Sequence, residues 1–327
     1  MNKIKAGIIG FGVGQKHFEA IQNYKKSKVK IICEKNLNKL SNLKKRYPKI
    51  LITQNEDEIF NDKEINLVSI ASYDEDHYPQ ILKCIKYKKN IIVEKPMCLK
   101  LKELKHIKKL ISNSNIKITS NLVLRVNDLF KNIKKKIKKD KIFYIEADYL
   151  WGRKNKLFGW RSKTKDYSLI LGAGIHMIDL AMWMLNKRPH SVFTVANNIA
   201  TSKTTFKKNS MALVILEFPG NVIVKITANA VAVHDHFHEI KIFAKNMTIN
   251  NTINGSFLFT KNEIKKNKFF YPDKKNRKKL IHNFLDTISS KKIKPIISLK
   301  EQFDLMSVCI AAEEAMNKNK KMRIKYF

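Results

Sequence analysis

The chain begins with an apolar run that ends in three closely spaced glycines. Residues 3–12 read KIKAGIIGFG, and the glycines are Gly10, Gly12 and Gly14. A buried strand that passes through a glycine turn into a helix is the start of a βαβ unit. Further short apolar runs alternate with helix-like segments, which predicts a parallel sheet covered on both faces. These runs occupy residues 29–33, 66–72, 90–95 and 116–123.

The pattern changes after about residue 122. Longer runs alternate apolar and polar residues, which is typical of an antiparallel sheet with one covered face. They occupy residues 142–152, 210–218, 221–233 and 238–245. Helices are predicted at 173–185 and 299–317. The fold class is therefore α/β, with an N-terminal doubly wound parallel (Rossmann) sheet at 1–122 and a C-terminal α/β domain at 123–327 whose sheet is mostly antiparallel.

The charge of the chain is strongly positive. Its 327 residues include 65 Lys+Arg and 28 Asp+Glu, for a formal net charge of +37, but only seven are arginine. Nucleic-acid readers favour arginine for bidentate contacts to bases, so no specific nucleic-acid partner is predicted.

The apolar tract 169–185 is short for a membrane span and contains His176 and Asp179, which favours a buried helix and no membrane partner.

The four cysteines are scattered and form no C-x-x-C pair. This predicts a reducing, cytoplasmic environment and no thiolate metal site. The first residues run directly into a strand, so no signal peptide is expected.

The glycine turn predicts a dinucleotide site. Gly10 and Gly12, with Phe11 and Val13 between and after them, fit the tight turn and the close backbone approach to a pyrophosphate. The third position of the usual fingerprint is Gln15, and Gly14 stands one place early. A glycine-rich turn without a ligand is the alternative interpretation.

An acidic residue ends the second predicted strand. Glu34 would accept hydrogen bonds from the adenosine ribose hydroxyls and repel a 2′-phosphate, which favours NAD over NADP. Lys35 follows it and could soften that preference. The alternative is an exposed loop glutamate.

The stretch IIVEKPMC (91–98) places one lysine at a special position. If residues 66–72 are the third strand and 90–95 the fourth, the fourth lies beside the first in the order 3-2-1-4. Ligands bind beyond the carboxyl ends of such strands, so Lys95 is predicted to lie in the cofactor crevice, beside the nicotinamide half. Pro96 favours an extended exit of the chain from the strand.

With these residues assembled, the chain resembles the Gfo/Idh/MocA family of oxidoreductases, named for glucose–fructose oxidoreductase and inositol dehydrogenase. The resemblance covers most of the chain. Its landmarks are the stretches GIIGFGVGQKH (7–17), SIASYDEDHY (69–78), VEKP (93–96), WR (160–161) and GAGIHMIDL (172–180).

The resemblance implies a Rossmann domain followed by an α/β domain with a large, open sheet, and roles for particular residues. Lys95 would be the active-site lysine and His176 the active-site histidine. Glu94 would contact the nicotinamide ribose. The expected cofactor contacts also include Ser72, His77, Trp160 and Arg161. The expected substrate contacts are Lys95, Arg125, His176 and Asp179.

One position departs from the family pattern. The family often has an aspartate four residues before the histidine, where this chain has Gly172. Asp179 lies one helical turn after His176 and cannot be assumed to replace it. The usual Lys–Asp–His set is therefore incomplete, which puts the proton path in doubt.

Oxidation of an alcohol requires a hydride acceptor and a group that takes the hydroxyl proton. His176 suits proton transfer because an unperturbed imidazole titrates near pH ~6.5. Lys95 would stabilise the developing alkoxide if charged, or act as a base if desolvated. The alternative for His176 is a structural histidine on an apolar helix.

Three further histidines have a spacing of two. His234, His236 and His238 would share one face of a strand, where imidazoles can bind Zn²⁺. Three ligands in a row on one strand rarely converge, so no metal is predicted. A polar strand end near a substrate site or subunit interface is the preferred interpretation.

The predicted function is NAD-dependent oxidation or reduction at a hydroxyl-bearing carbon of a sugar, nucleotide sugar or inositol-like polyol bound between the domains. Two alternatives remain: an enzyme of the same fold that uses tightly bound NAD for transient oxidation, and a non-catalytic sugar-binding protein. By the resemblance, a homodimer or homotetramer would form through the C-terminal sheet.

Overall fold

The computed structural model describes residues 3–138, 140–266, 276–290 and 292–327. Residues 267–275 of the predicted second domain therefore lie outside the described part. The chain folds into two compact units. The first contains the residues up to Val123 and the segment that ends at Phe303, and the second contains the remainder.

The first unit is built on a six-stranded sheet in the order β3-β2-β1-β4-β5-β6, and all of its strand pairs are parallel. Its strands are almost wholly buried, as expected when helices cover both faces of a parallel sheet. They are β1 (Ile4–Ile9), β2 (Ser27–Cys33), β3 (Leu51–Thr53), β4 (Leu67–Ile70), β5 (Asn90–Val93) and β6 (Ile118–Ser120).

The strand order corrects one step of the sequence prediction. The short strand β3 had no periodic pattern to indicate it, because three residues are too few for an alternation to be recognised. With β3 counted, β4 is the strand that pairs with β1, and β5 pairs with β4. Lys95 therefore leaves the strand next but one to β1, still at the carboxyl end of the sheet.

The second unit is built on a nine-stranded sheet in the order β14-β13-β12-β11-β7-β10-β9-β8-β15. It is mostly antiparallel, as predicted, but the pair β7–β10 is parallel. Its strands are β7 (Ile142–Leu150), β8 (Ser191–Asn197), β9 (Met211–Phe218), β10 (Val222–Asn229), β11 (Phe237–Ala244), β12 (Met247–Thr252), β13 (Gly255–Thr260), β14 (Ile264–Lys266) and β15 (Met322–Arg323).

The two faces of this second sheet differ. Along β9 every second residue is buried, from Ala212 to Phe218, and the residues between them are half-buried. The buried face is packed by an apolar helix whose first turn is a π-helical turn at Ile170–Gly174. Within the described residues, no helix is both long and apolar enough to cross a membrane.

The helices follow the connections that these sheets require. In the first unit they are α1 (Gly14–Gln22), α2 (Leu37–Arg46), α3 (Asp57–Asn61), α4 (His77–Lys86), α5 (Leu101–Ser112) and α9 (Asn276–Ser289). In the second unit they are α6 (Asp128–Ile137), α7 (Trp160–Lys163) and α8 (Ile175–Leu185). Helix α10 (Leu299–Asn317) begins in the first unit and ends in the second.

Helix α9 packs against the first unit, although the predicted second domain covers its residues. Its Asp286 accepts a hydrogen bond from the Tyr24 hydroxyl at 2.6 Å. Its His282 bonds the Ala20 carbonyl of α1 through Nε2 at 2.9 Å. The apolar residues Ile281, Phe284 and Leu285 join the hydrophobic core around β1 and α1.

Candidate active site

The glycine turn after β1 requires glycine for steric reasons. Gly10 has φ +83°, and a Cβ there would lie 2.5 Å from the carbonyl oxygen of Ala71. A Cβ on Gly12 would meet no atom within 4 Å, so the backbone is open to a ligand at this point. This open backbone at the start of α1 fits a dinucleotide pyrophosphate, which binds backbone N–H groups at a helix N-terminus.

Gly14 takes over the packing role of the displaced third glycine. A Cβ on Gly14 would lie 3.2 Å from Ala71 Cβ and 3.3 Å from Ile8 Cγ2. Helix α1 therefore approaches the strands closely at Gly14. Gln15 is half-buried and hydrogen-bonds Glu19 of its own helix.

Glu34 is held beside the glycine turn. Its Oε2 accepts a hydrogen bond from the backbone N–H of Phe11 at 3.1 Å, and its Oε1 accepts one from Asn36 at 2.9 Å. The Phe11 side chain meanwhile packs edge-on against Phe18 in the core. The carboxylate is 8% exposed and keeps lone pairs for further donors, which fits the contact with ribose hydroxyls that the sequence predicts.

Glu94 is part of a buried hydrogen-bond network that the sequence did not predict. His17 Nε2 lies 3.0 Å from Glu94 Oε1, and His17 Nδ1 lies 2.7 Å from Ser69 Oγ. Because a carboxylate only accepts, Nε2 of His17 carries the hydrogen. Asn121 Nδ2 donates to the same Glu94 oxygen at 2.6 Å, and Arg277 Nε of α9 lies 3.6 Å from it.

These donors keep Glu94 ionised. Burial alone would raise its pKa, but the His17 hydrogen bond and the charges of Arg277 and Lys95 hold the pKa well below its usual range. The signal for His17 was present in the sequence, because His17 stands on the apolar face of α1 together with Phe18 and Ile21. Arg277 had no such signal, since its position depends on the return of α9.

Lys95 follows Glu94 and is half-buried. The loop that carries it is held by His77, a fully buried residue whose Nδ1 lies 2.7 Å from the Pro96 carbonyl oxygen. Ser72 donates a hydrogen bond to Gln80 at 2.6 Å. His77 and Ser72 therefore stabilise the loops at the carboxyl ends of β4 and β5.

In the second unit, His176 belongs to a cluster of aromatic rings around Tyr149. The His176 ring stacks on Tyr149 with 5.9 Å between centroids and an interplanar angle of 11°. His236 and His238 contact the same tyrosine edge-on, at 5.1 Å and 4.7 Å. Two of the three histidines at 234–238 thus join the predicted catalytic histidine, through a tyrosine that the sequence interpretation missed.

The surroundings hold three of these rings, those of Tyr149, His236 and His238, in their neutral forms. Burial, assisted by the charge of Arg153, lowers the pKa of His236 to about 4. Burial also lowers the pKa of His238 well below its usual value and raises the pKa of Tyr149 to about 12. His176 and His236 are half-buried, whereas His238 is buried, so His176 and His236 are the two imidazoles of this cluster that remain accessible.

Across the described residues, no group of three His, Cys, Asp or Glu side chains has the arrangement of a metal site. His234 lies outside the cluster and bonds the Asp235 carbonyl oxygen through its Nδ1 at 2.8 Å.

Arg125 and Asp179 bind each other. Arg125 Nε lies 3.0 Å and 3.1 Å from the two carboxylate oxygens of Asp179, and Nη2 lies 2.7 Å from one of them. Both side chains are 3% or less exposed. The sequence prediction placed both against substrate, whereas this buried ion pair joins α8 to the turn at Val123–Val126.

Gly172 is covered by a tyrosine. A Cβ on Gly172 would lie 2.7 Å from the hydroxyl oxygen of Tyr167 and 3.0 Å from its Cζ. The Tyr167 ring contacts Trp160 and Phe206 edge-on and is 8% exposed. A side chain at position 172 would therefore require the Tyr167 ring to move.

Arg161 lies among aromatic rings. Its guanidinium carbon is 4.4 Å from the ring centroid of Trp160, 4.8 Å from that of Trp151 and 5.7 Å from that of Tyr167. Its Nη1 donates to the Lys156 carbonyl oxygen at 3.3 Å. Trp160 and Arg161 are thus neighbours of Gly172 through Tyr167.

Two family models match the chain. A model described as an oxidoreductase family with an NAD-binding Rossmann fold matches residues 4–122. The model of the GFO/IDH/MocA C-terminal domain matches residues 134–250.

Individual proteins are similar to this chain at sequence identities between 18% and 23%. An uncharacterized oxidoreductase of Synechocystis is 21% identical over 258 residues, which cover 74% of this chain and 70% of that protein. The 2,7-anhydro-N-acetylneuraminate hydratase of Escherichia coli is 23% identical over 50% of this chain and 45% of that protein. The fold is similar to that of scyllo-inositol dehydrogenase from Lactobacillus casei, crystallised with NAD(H) and scyllo-inositol. That comparison has a TM-score of 0.83 and 18% identity, and covers 98% of this chain and 99% of that one.

Proposed function

The chain belongs to the GFO/IDH/MocA family of NAD-binding oxidoreductases, and on that premise we propose that it oxidises or reduces a hydroxyl-bearing carbon of a sugar, nucleotide sugar or inositol-like polyol. The observation that carries the proposal is the arrangement at the carboxyl ends of the parallel strands. There the open backbone at Gly12 and the fixed carboxylate of Glu34 fit NAD, and Lys95 follows immediately after the buried Glu94.

NAD, when bound, supplies the hydride acceptor for the alcohol carbon. We assign Gly10 to Gly14, with Phe11 and Val13, to the pyrophosphate side and Glu34 to the adenosine ribose. Glu94 is assigned to the nicotinamide ribose, and its network with His17 and Asn121 fixes the carboxylate in one orientation. Ser72, His77, Trp160 and Arg161 are kept as predicted cofactor neighbours.

His176 and Lys95 are assigned to the substrate oxygen. As the C–H and O–H bonds of the alcohol break and a C=O bond forms, the hydroxyl proton passes to a ring nitrogen of His176. The Lys95 ammonium stabilises the negative charge that develops on the oxygen. The stacked Tyr149 ring fixes the plane of His176 and so the direction of its ring nitrogens.

Arg125 and Asp179 are given no direct contact with substrate in this proposal. Their bidentate pair is buried, and an arginine engaged in this way would lose strong charge-assisted hydrogen bonds by turning to a ligand. We assign them to the stability of the helix that carries His176.

The proposal is tested by following NADH formation across a panel of sugars, nucleotide sugars and inositols. Lys95→Ala is expected to lower kcat by roughly 100-fold or more on any substrate found, because the loss of a charge-stabilising group has that effect in other enzymes. Lys102→Ala is the matched control, since Lys102 lies exposed on α5 of the same unit. Equal loss in both variants, or none in either, would refute the role of Lys95.

Transient oxidation is a second candidate, because one of the similar proteins is named a hydratase, and hydration of a substrate involves no net oxidation. It predicts that the purified protein retains NAD through gel filtration and turns substrate over without net NADH. If NAD binds, no panel member reacts and Lys95→Ala changes affinity alone, the protein is a sugar-binding member of the family.

We also propose that the second sheet forms a homo-oligomer through its open face. On β8, β9 and β10 this face carries an apolar strip formed by Phe193, Val195, Leu213, Ile215 and Ile223. Val195 is 43% exposed and Ile223 is 45% exposed, and an apolar strip of this kind is typical of a protein interface.

A cytoplasmic location is supported by the four cysteines, all of them buried and free.

A further inference from the structure

Three cations of the second unit surround the aromatic cluster of His176. Arg153 and Lys156 belong to the segment that follows β7, and Arg161 lies on α7. The segment is held against the histidines, because Gly152 packs on the backbone of His234–His236 and His236 Nδ1 lies 3.2 Å from the Leu150 carbonyl oxygen. Arg153, Lys156 and Arg161 are called the basic cluster below.

The members of the basic cluster crowd one another. Arg161 Nη1 bonds the Lys156 backbone at 3.3 Å. Burial, together with the charges of Arg153 and Arg161, lowers the pKa of Lys156. The charge of Arg153 also acts on Tyr149, His236 and His238, so the cations and the rings share one electrostatic environment.

This positive charge has no counter-charge within the described chain. None of the ion pairs among the described residues involves Arg153, Lys156 or Arg161. Asp148, which precedes Arg153 in the chain, is on the opposite face of the sheet beside Lys225, with 3.6 Å between the charged atoms. Asp166, which follows Arg161, is exposed. Asp235 is exposed and lies between two histidines of the adjacent loop.

Arg161 has the geometry of an anion-binding arginine. Its guanidinium carbon lies over the rings of Trp160 and Trp151, and its edge remains for planar hydrogen bonds. Its Nε is buried and has no hydrogen-bond acceptor within the described residues. A carboxylate or phosphate accepts two parallel N–H bonds from such an edge, and burial beside aromatic rings strengthens them.

We propose that the basic cluster binds the carboxylate or phosphate of an anionic sugar and thereby selects anionic over neutral substrates for the reaction at His176. That the bound anion is a substrate rests on the proposed function. That the site binds an anion at all rests on the basic cluster alone. The neutral rings of Tyr149, His236 and His238 add no charge of their own, so the selectivity comes from the three cations.

The test compares anionic and neutral sugars by binding and by turnover. Glucuronate, glucose 6-phosphate and UDP-glucose are titrated against glucose and inositol at constant ionic strength, with tryptophan fluorescence as the readout, because Trp151 and Trp160 flank Arg161. We expect at least one anionic probe to bind about tenfold tighter than its neutral counterpart, the effect of one charged hydrogen bond. The carboxylate and phosphate probes show which anion is preferred.

Variants separate the cluster from the general positive charge. Arg161→Gln is expected to lower the affinity for the preferred anion about tenfold and so to remove most of the preference for that anion over its neutral counterpart. Lys156→Gln, at a position that is exposed in part, is expected to lower that affinity about threefold. Lys245→Gln removes one charge at the opposite end of the β7–β11 pair and is expected to have no effect.

Distinct results overturn the inference and the proposed function. Equal binding of anionic and neutral probes, a loss of the same size in Lys245→Gln, or a change confined to the KM for NAD would overturn the role of the basic cluster. Turnover of neutral polyols at the same rate as anionic sugars would support the proposed oxidoreductase function and contradict the role of the basic cluster. Tight anion binding that depends on Arg161, with no NADH from any probe, would support the cluster and contradict the proposed function.

Discussion

At the scale of single residues, the cofactor preference depends on one carboxylate. Glu34 is fixed by the backbone of Phe11 and Asn36, so its negative charge lies beside the glycine turn in one orientation. A 2′-phosphate in that position would be repelled, and removing the charge would remove the repulsion.

Glu34→Gln is therefore expected to change the ratio of KM values for NADP and NAD in favour of NADP by roughly tenfold, since two charges in contact near a protein surface repel by more than 1 kcal/mol. The amide keeps the shape of the side chain. Glu64→Gln, an exposed site of the same chemistry, is the control. An unchanged ratio would show that another residue discriminates between the two cofactors.

Glu313 is expected to make the stability of the fold depend on pH. It lies on α10, where Ser168 donates a hydrogen bond to it, and burial raises its pKa above the ordinary value. A carboxyl with a raised folded-state pKa stabilises the fold in its protonated form, below the unfolded pKa. The contribution is lost as the pH rises through the folded-state pKa.

Glu313→Gln, which stays neutral and can still accept from Ser168, should therefore have a higher Tm than the parent protein at pH 8. Near pH 4 the two proteins should melt together, because the glutamate is then neutral as well. Thermal denaturation followed by circular dichroism at both pH values measures this. A difference of equal size at pH 4 and pH 8 would assign the effect to packing instead of charge.

At the scale of elements, the π turn before α8 is determined by a glycine and a tyrosine. Gly172 lies within this turn, and the Tyr167 hydroxyl occupies the space that a side chain at 172 would need. The turn and the residue that covers it are thus parts of one packing arrangement, four residues before His176.

Gly172→Ala is expected to destabilise the protein by about 1–3 kcal/mol, the usual cost of overpacking, as measured by urea denaturation. Tyr167→Phe in the same chain should recover part of that loss, because it removes the atom closest to the added Cβ. Tyr167→Phe alone supplies the baseline for the double variant. Full stability of Gly172→Ala would mean that Tyr167 moves aside without cost.

The elements also show how far sequence reasoning extends. Runs such as Ile4–Ile9 and Met211–Phe218 are predicted because burial imposes a period on many residues at once. The three-residue β3 imposes no period, and the return of α9 to the first unit depends on tertiary packing alone. Elements with a long pattern were therefore predictable. The strand order depends on β3 and the domain membership depends on α9, and neither was predictable.

The candidate site follows the same rule. Gly10, Gly12 and Glu34 could be found because their positions are fixed by a single turn and the strand beside it. Tyr149 and Arg277 could not, because each reaches its histidine or glutamate partner from a distant element. Local motifs therefore identified the residues proposed for chemistry, and only the structure identified those that orient them.

At the scale of the whole molecule, the net charge of +37 coexists with a locally balanced sheet. On the open face, Lys225 lies 3.8 Å from Glu146, and Lys241 lies 3.4 Å from the same carboxylate. The Tyr144 hydroxyl donates to Glu146 as well. A neutralised patch beside an apolar strip allows two positively charged copies to approach, which a uniformly basic surface would oppose.

Val195→Asp is the change that tests this face. Val195 is 43% exposed on β8, so an aspartate there can be solvated in a single chain, but two of them would be buried unpaired in a symmetric interface. We expect multi-angle light scattering after gel filtration to report a monomer for Val195→Asp and an oligomer for the parent protein. Ile199→Asp, at a 78% exposed position outside the sheet, should keep the parent mass. If both variants retain the parent mass, the open face is not the interface, and if both dissociate, the effect is one of net charge.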